Sequence, residues 1–207
     1  MIGSQLVGIL LSSNQYEKVV AFVKRDSGIQ HPKFVQHIID FDNPKSYQDL
    51  VKGDDFFCTI GTTIKTAGSQ EAFRKVDFEY PKQFAQIAHK NNVKQFLVIS
   101  SLGVTESSNN FYLKTKLEIE NFLKKLNFES VLVLRPSLLL GDRKEFRLGE
   151  KAASFFSKVF GFVFIGSLKK YKSIQSKKVA KALFEIAQKN NKGFIIYESD
   201  AIQKMSE

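Results

Sequence analysis

Apolar positions along the chain alternate between two spacings, and that alternation is the first guide to the fold. Leu6, Val7, Leu10 and Leu11 fall on one side of a helix over 3–13. The next run, KVVAFVK (18–24), is β-branched and aromatic and predicts a strand. FVQHIID (34–40) reads as a second strand, and a short helix over 45–51 is expected to end near Gly53. DFFCTI (55–60) has the continuous apolar character of a buried strand and is closed by Gly61. Phe73, Val76, Phe84, Ile87 and Ala88 place a long helix over 70–91, with Pro81 expected to kink it. KQFLVISS (94–101) is another buried strand, 111–126 an amphipathic helix and ESVLVLR (129–135) a further strand. Helices over 150–160 and 176–190 and a strand at 193–197 complete the series.

Strands separated by helices predict an α/β fold: a doubly wound parallel sheet covered on both faces. No repeat, low-complexity tract or linker divides the chain, so residues 1–207 are read as one domain. In such sheets ligands lie beyond the carboxyl ends of the strands. That rule selects Lys24 and Arg25, Asp40, Gly61 to Thr63, Ser100 and Ser101, and Arg135 to Ser137.

Composition narrows the partners. The formal net charge is +10, from 31 basic and 21 acidic residues, and the lysine excess is greatest after residue 150. Those lysines are scattered and accompany no zinc-finger or helix-turn-helix pattern, so they read as a solvated face and no nucleic-acid partner is expected. No apolar run reaches the roughly 20 residues of a membrane span. The single Cys58 excludes a disulfide framework and a cysteine-based zinc site, and it suits a reducing compartment; a cytoplasmic protein is expected. Residues 2–11, IGSQLVGILL, have no basic flank before them and no cleavage site after them, and read as a helix, not a signal peptide. His31, His37 and His89 share no metal-ligand spacing, and no metal is expected.

Tyr112 and Lys116 lie four residues apart on a predicted helix, hence on one face. A lysine near a tyrosine stabilises the phenolate. Such a tyrosine can exchange a proton with a carbonyl or alcohol oxygen. Ser100 and Ser101, ending the preceding strand, have hydroxyls able to hold that oxygen; a surface Tyr–Lys pair is the equally open reading. Lys24 and Arg25 suit a 2′-phosphate and so favour NADP(H) over NAD(H), or are ordinary loop charges. Asp40 either accepts from an adenine amino group or caps the turn before Asn43-Pro44. Gly61-Thr62-Thr63 is a turn where backbone can approach a cofactor, or one that merely ends a strand. Cys58 reads as packing, and the loop 141–150 either covers a site or is a salt-bridged surface loop.

These residues resemble a family. Ser-Ser, then Tyr-x-x-x-Lys, then Arg-Pro after the next strand, are similar to the short-chain dehydrogenase/reductase superfamily, most closely its atypical branch. The resemblance runs from about Gly3 to the last predicted strand, through FFCTIGTT (56–63), VDFEY (76–80), ISSLG with SSNNFYLKTK (99–116) and RPSLLLGDRKEFRLGE (135–150). It implies an NADP(H)-binding Rossmann-like domain acting on a small carbonyl or alcohol substrate, with the segment 137–175 forming the variable substrate region. It implies Tyr112 as acid/base, Lys116 as the ribose-holding residue that tunes it, and Ser101 orienting the substrate oxygen, with Ser100 as the fallback. Lys24 and Arg25 would meet the 2′-phosphate, Asp40 the adenine, and Pro136 the nicotinamide. Gly61 and Thr62 would line the cofactor.

Two departures accompany the resemblance. Asp77 stands where many members carry an asparagine, so an asparagine-based proton relay does not carry over. The glycine turn G-x-x-G-x-x-G is represented only by its last glycine, Gly3, and the family's first strand is missing. In the order 3-2-1-4-5 that strand is central, so the family's second and fourth strands are expected to show unpaired edges. A start upstream of Met1 is the expected explanation; an inactive remnant and a fold that closes without the strand are the others. Beside the oxidoreductase stand two further readings, a non-catalytic NADP(H)-sensing protein that meets a protein partner and a cofactor-free remnant. A homo-oligomer is compatible with each.

Overall fold

The computed structural model describes residues 1–140 and 172–206. The chain opens with helix α1 (Ile2–Ser12), followed by strands β1 (Val19–Val23) and β2 (Phe34–Ile38). Two single 3-10 turns, Pro44–Ser46 and Gln48–Leu50, lead to β3 (Asp55–Cys58). Then come α2 (Ile64–Ala67), α3 (Gln70–Arg74), a π-helical turn (Lys75–Glu79), α4 (Tyr80–Lys90), β4 (Gln95–Ile99), α5 (Phe111–Lys125) and β5 (Ser130–Arg135). Short strands β6 (Leu139–Leu140) and β7 (Ile174–Gln175) precede α6 (Ser176–Ala187), β8 (Gly193–Glu198) and α7 (Ser199–Met205).

Every ladder is parallel. β3, β4, β5 and β8 form one four-stranded sheet in the order β3-β4-β5-β8, while β1 pairs with β2 and β6 with β7. The result is the expected α/β architecture. Side-chain parity sorts the core into two layers. Phe96, Val98, Val131 and Val133 face α4 and α5. Leu97, Ile99, Leu132 and Leu134 face α1, α6 and α7. Burial on both faces explains why β4 and β5 read as unbroken apolar runs.

The expected unpaired edges are present. Among the described residues no ladder joins β1 to β3; each has one strand neighbour. Side chains bridge the two sheets instead. Phe84 of α4, 1% exposed, lies with ring centroids 5.5 Å from Phe22 on β1 and 5.3 Å from Phe56 on β3. Tyr16, just before β1, donates to Asp55 Oδ2 of β3 at 2.6 Å.

The structure corrects four local expectations. The helix expected over 45–51 is a pair of 3-10 turns. The helix expected over 70–91 is divided, and Pro81 gives the reason. It has no N–H to offer the Asp77 carbonyl, and the chain accommodates this with a π turn whose bond runs from the Tyr80 amide to the Lys75 carbonyl. Pro81 thus opens α4 instead of kinking its middle. The strands β6 and β7, two residues each, are too short to leave a period. Helix α7 starts directly at the end of β8 with no breaker between them, and was not anticipated. The helix expected over 150–160, the loop 141–150 and most of the segment 137–175 lie outside the described residues.

Candidate functional site

The first turn of α1 meets the turn that follows β3. A β-carbon at Gly3 would stand 2.7 Å from Thr59 Oγ1, closer than real β-carbons come to any neighbour. Glycine is therefore what lets the start of α1 close on the end of the strand, the role of the last glycine in dinucleotide folds.

Beyond β3 the chain turns through Gly61 and Thr62, both half-buried, and Thr63 caps α2 by accepting the Thr66 amide. The Thr62 amide donates to Asp77 Oδ2 at 2.8 Å. Asp77 Oδ1 lies 2.7 Å from Lys116 Nζ, and the two side chains are 1% and 6% exposed. Lys116 also donates to the Ile99 carbonyl at 3.4 Å. Burial, the largest single influence, pulls the Lys116 ammonium towards neutrality, but Asp77 foremost, with Tyr112 and Cys58, together hold the group above the ordinary lysine value. Cys58, at the end of β3, is fully enclosed, and its thiol is pushed up to about 12 by burial, which makes it packing and not a nucleophile.

Tyr112 opens α5 because Asn110 caps the helix, accepting the amides of Tyr112 and Leu113. Its ring leans on Phe73, centroids 5.5 Å apart, and Lys116 Nζ is 6.0 Å from the ring centre. The Tyr112 hydroxyl bonds no described residue and is half-buried. The expected pair therefore lies one helical turn apart beside the Gly61–Thr62 turn.

The two serines part company. Ser100 is buried and gives its hydroxyl to Glu120. Glu120, 2% exposed, also accepts from Arg135 Nε at 3.0 Å and Arg135 Nη2 at 2.5 Å, while Arg135 Nη1 reaches Glu198 at 3.2 Å. Ser101 is half-buried and, among the described residues, bonds the neighbouring Leu102 carbonyl alone, at 3.3 Å. Ser101 therefore bonds no other described side chain, whereas the fallback Ser100 is committed to Glu120. Pro136, buried after β5, accepts the Leu102 amide at 3.0 Å and joins the ends of β4 and β5.

At the other end of the rim, Lys24 Nζ lies 5.6 Å from the ring centres of both Phe41 and Tyr80. Arg25 is exposed and pairs with no described carboxylate. Asp40 is exposed and accepts the Asp42 amide at 2.9 Å, so it caps its own turn. Tyr80 donates to Asp42 at 3.0 Å, and Lys75 pairs with Asp42 at 2.8 Å.

Glu120 follows Tyr112 and Lys116 at the same interval of four, a signal in the sequence that one stripe of α5 faces the rim. No such spacing marks Asp77 or Arg135, whose partners are set by the tertiary fold.

Comparison with known proteins shows the family and the fold. A family model described as NAD(P)H-binding matches residues 1–190. The chain is 29% identical over 199 residues to a protein of Candida albicans named "Protein FMP52, mitochondrial", a match covering 93% of this chain and 86% of that protein. It is 35% identical to the Emericella nidulans protein of the same name, covering 72% of this chain and 67% of the other. It is 34% identical to "Protein HTATIP2" of Rattus norvegicus over 74% of this chain, a match that spans 65% of the rat protein. Among solved structures it is similar to a UDP-N-acetylglucosamine 4-epimerase from Methanobrevibacter ruminantium, with a TM-score of 0.69, 19% identity and coverage of 96% of this chain and 73% of that one. The Bordetella bronchiseptica enzyme WbmH, solved with NAD+, gives a TM-score of 0.66 at 18% identity and covers 99% of this chain and 75% of its own. The cytoplasmic expectation is overturned by the relatives, several of which are named as mitochondrial proteins. A lone cysteine cannot separate two reducing compartments. No described helix is long and apolar enough to cross a membrane.

Proposed function

The chain belongs to the NAD(P)H-binding family of the atypical short-chain dehydrogenase/reductase type, and on that footing we propose that it is an NADPH-dependent oxidoreductase of small carbonyl or alcohol substrates. The observation that carries the reading is the Tyr112–Lys116 pair beside the Gly61–Thr62 turn, at the carboxyl rim of a parallel sheet.

The residues present fit a dinucleotide. Gly3 lets the start of α1 close on Thr59 just after β3, the helix–strand packing of dinucleotide folds, and the Gly61–Thr62 turn brings backbone to the same rim. Lys24 and Arg25 offer cations to a 2′-phosphate, with Arg25 the freer of the two. On this reading the exposed Asp40, whose carboxylate also accepts the Asp42 amide, would meet the adenine, and Pro136 after β5 would meet the nicotinamide. When bound, the nicotinamide supplies the hydride that a carbonyl carbon accepts. Tyr112 then donates its phenolic proton to the substrate oxygen, Ser101 orients that oxygen, and Lys116 supplies the fixed positive charge beside the phenol. The names of the fungal relatives support a mitochondrial location.

The test is a fluorescence titration of NADPH, with NADH beside it, followed by cofactor oxidation against a panel of aldehydes and ketones. Selective NADPH binding with turnover is the expected result. Binding without turnover on any carbonyl would favour a cofactor-sensing protein, and no binding would remove the reading for this chain.

A further inference from the structure

We propose that Asp77 is a positioning residue of this site: its single carboxylate holds both the Lys116 ammonium and the Thr62 amide, and so ties the cofactor turn after β3 to the helix that carries Tyr112. The proposal rests on the functional reading of Lys116 and Tyr112 given above, but the pair itself can be observed without any ligand.

The geometry is specific. One carboxylate oxygen is 2.7 Å from Lys116 Nζ and the other is 2.8 Å from the Thr62 amide. A β-carbon at Gly61 would lie 3.3 Å from Oδ1, so the turn closes tightly on the same carboxylate. The side chain is delivered by the π turn ahead of Pro81. π turns inside helices are frequent at functional sites.

A dry ammonium without a partner sheds its proton. The groups facing Lys116 are Asp77 from the π turn, Tyr112 from its own helix and Cys58 from β3, together with the Ile99 carbonyl. The Cys58 thiol is neutral, with its pKa pushed up to about 12 by burial. Glu120, one turn further along α5, is engaged by Ser100 and Arg135. Among the described residues Asp77 is therefore the carboxylate that keeps Lys116 charged. An asparagine in its place would match the shape and still accept the Thr62 amide, but would leave the buried ammonium uncompensated.

Asp77→Asn isolates that difference. The Lys116 ammonium is followed by NMR in protein labelled with nitrogen-15 lysine, its signal assigned by its loss in Lys116→Met. In the parent it is expected to keep its proton beyond the ordinary lysine value; in Asp77→Asn it is expected to lose its proton at least about two pH units lower than in the parent. NADPH affinity is expected to fall about tenfold from pH 7 to 9 in the variant, as Lys116 neutralises, and to change little in the parent. A purely structural ion pair would move the Lys116 titration but leave the pH dependence of NADPH affinity like the parent's, which overturns the positioning role; a titration unchanged within about half a unit overturns the pairing itself. Failure of the parent to bind NADPH would remove the functional reading, while the lysine titration still decides the pairing. Should Asp77→Asn not fold, thermal midpoints of Lys116→Gln and of the double variant decide: recovery in the double variant supports the pairing, and a double variant that also fails to fold overturns it.

Discussion

Gly3 and Thr59 approach so closely that a β-carbon at position 3 would stand 2.7 Å from the threonine hydroxyl. Thr59 Oγ1 is on a short, branched side chain with little freedom to retreat. Gly3→Ala is expected to destabilise by about 1–3 kcal/mol through overpacking. Thr59→Ala in the same chain removes the offending oxygen and leaves Cβ at 3.7 Å, an ordinary contact. Thermal denaturation of the single and double variants checks this: recovery in the double variant is expected, and no recovery would show that this contact does not set the approach.

Tyr112→Phe removes the phenolic proton and nothing else. Turnover is expected to fall by at least about 100-fold, in line with the loss of a general acid. Cofactor affinity should stay within about twofold, since the ring and its packing on Phe73 remain. Paired measurement of kcat and of the NADPH dissociation constant separates the two, and equal activity in the phenylalanine variant would refute the assignment.

Arg25→Glu reverses an exposed cation with no described carboxylate partner. On the NADPH reading, NADPH affinity should drop about tenfold or more, the scale of a lost charge-assisted bond, with NADH affinity little changed. Titrations of both cofactors at two salt concentrations test this. An equal loss for the two would mean that Arg25 does not meet a 2′-phosphate.

The buried ion pair makes a signed prediction about alkaline stability. Lys116 binds its proton more tightly in the folded state than in the unfolded one, the cost of burial being outweighed by Asp77, Tyr112 and Cys58 together. Its contribution is therefore fully present below the unfolded lysine value of about 10.4 and is lost as pH rises through the folded value. Urea midpoints between pH 8 and pH 11.5 should show a decline above pH 10 that is smaller in Lys116→Gln. A parallel decline in both proteins would assign the alkaline loss to other groups.

Phe84 gives the largest expected effect on stability. It is 1% exposed and touches rings from Phe22, Phe41, Tyr47 and Phe56. Phe84→Ala is expected to cost about 3–5 kcal/mol. Hydrogen exchange should rise more in β1 and β2 than in β4 and β5, because the first pair has no backbone ladder to the larger sheet.

The fold was legible where local and global preferences agree. β4 and β5 are buried along their length, so their composition alone declares them, and Asn110 ahead of Tyr112 starts α5 where the apolar period begins. Legibility failed where a backbone group decides. The π turn depends on the missing amide of Pro81, an effect that no periodicity records. The same contrast holds at the site. Tyr112 and Lys116 are four residues apart and visible as a pair, whereas Asp77 meets Lys116 only because α5 packs against the π turn. Asp40 illustrates the ambiguity of strand ends, where one carboxylate can serve a ligand or its own turn, and in the structure it serves the turn.

The division between β1 and β3 has a mechanical consequence. The cations proposed for the phosphate end follow β1, whereas Tyr112 and Ser101 follow strands of the larger sheet. A dinucleotide lying across both would act as a crosslink between two plates otherwise joined by side chains and by the chain from β2 to β3. Its occupancy would then register as stiffness of the whole molecule, and slower exchange in the smaller plate would report the cofactor even where no reaction takes place.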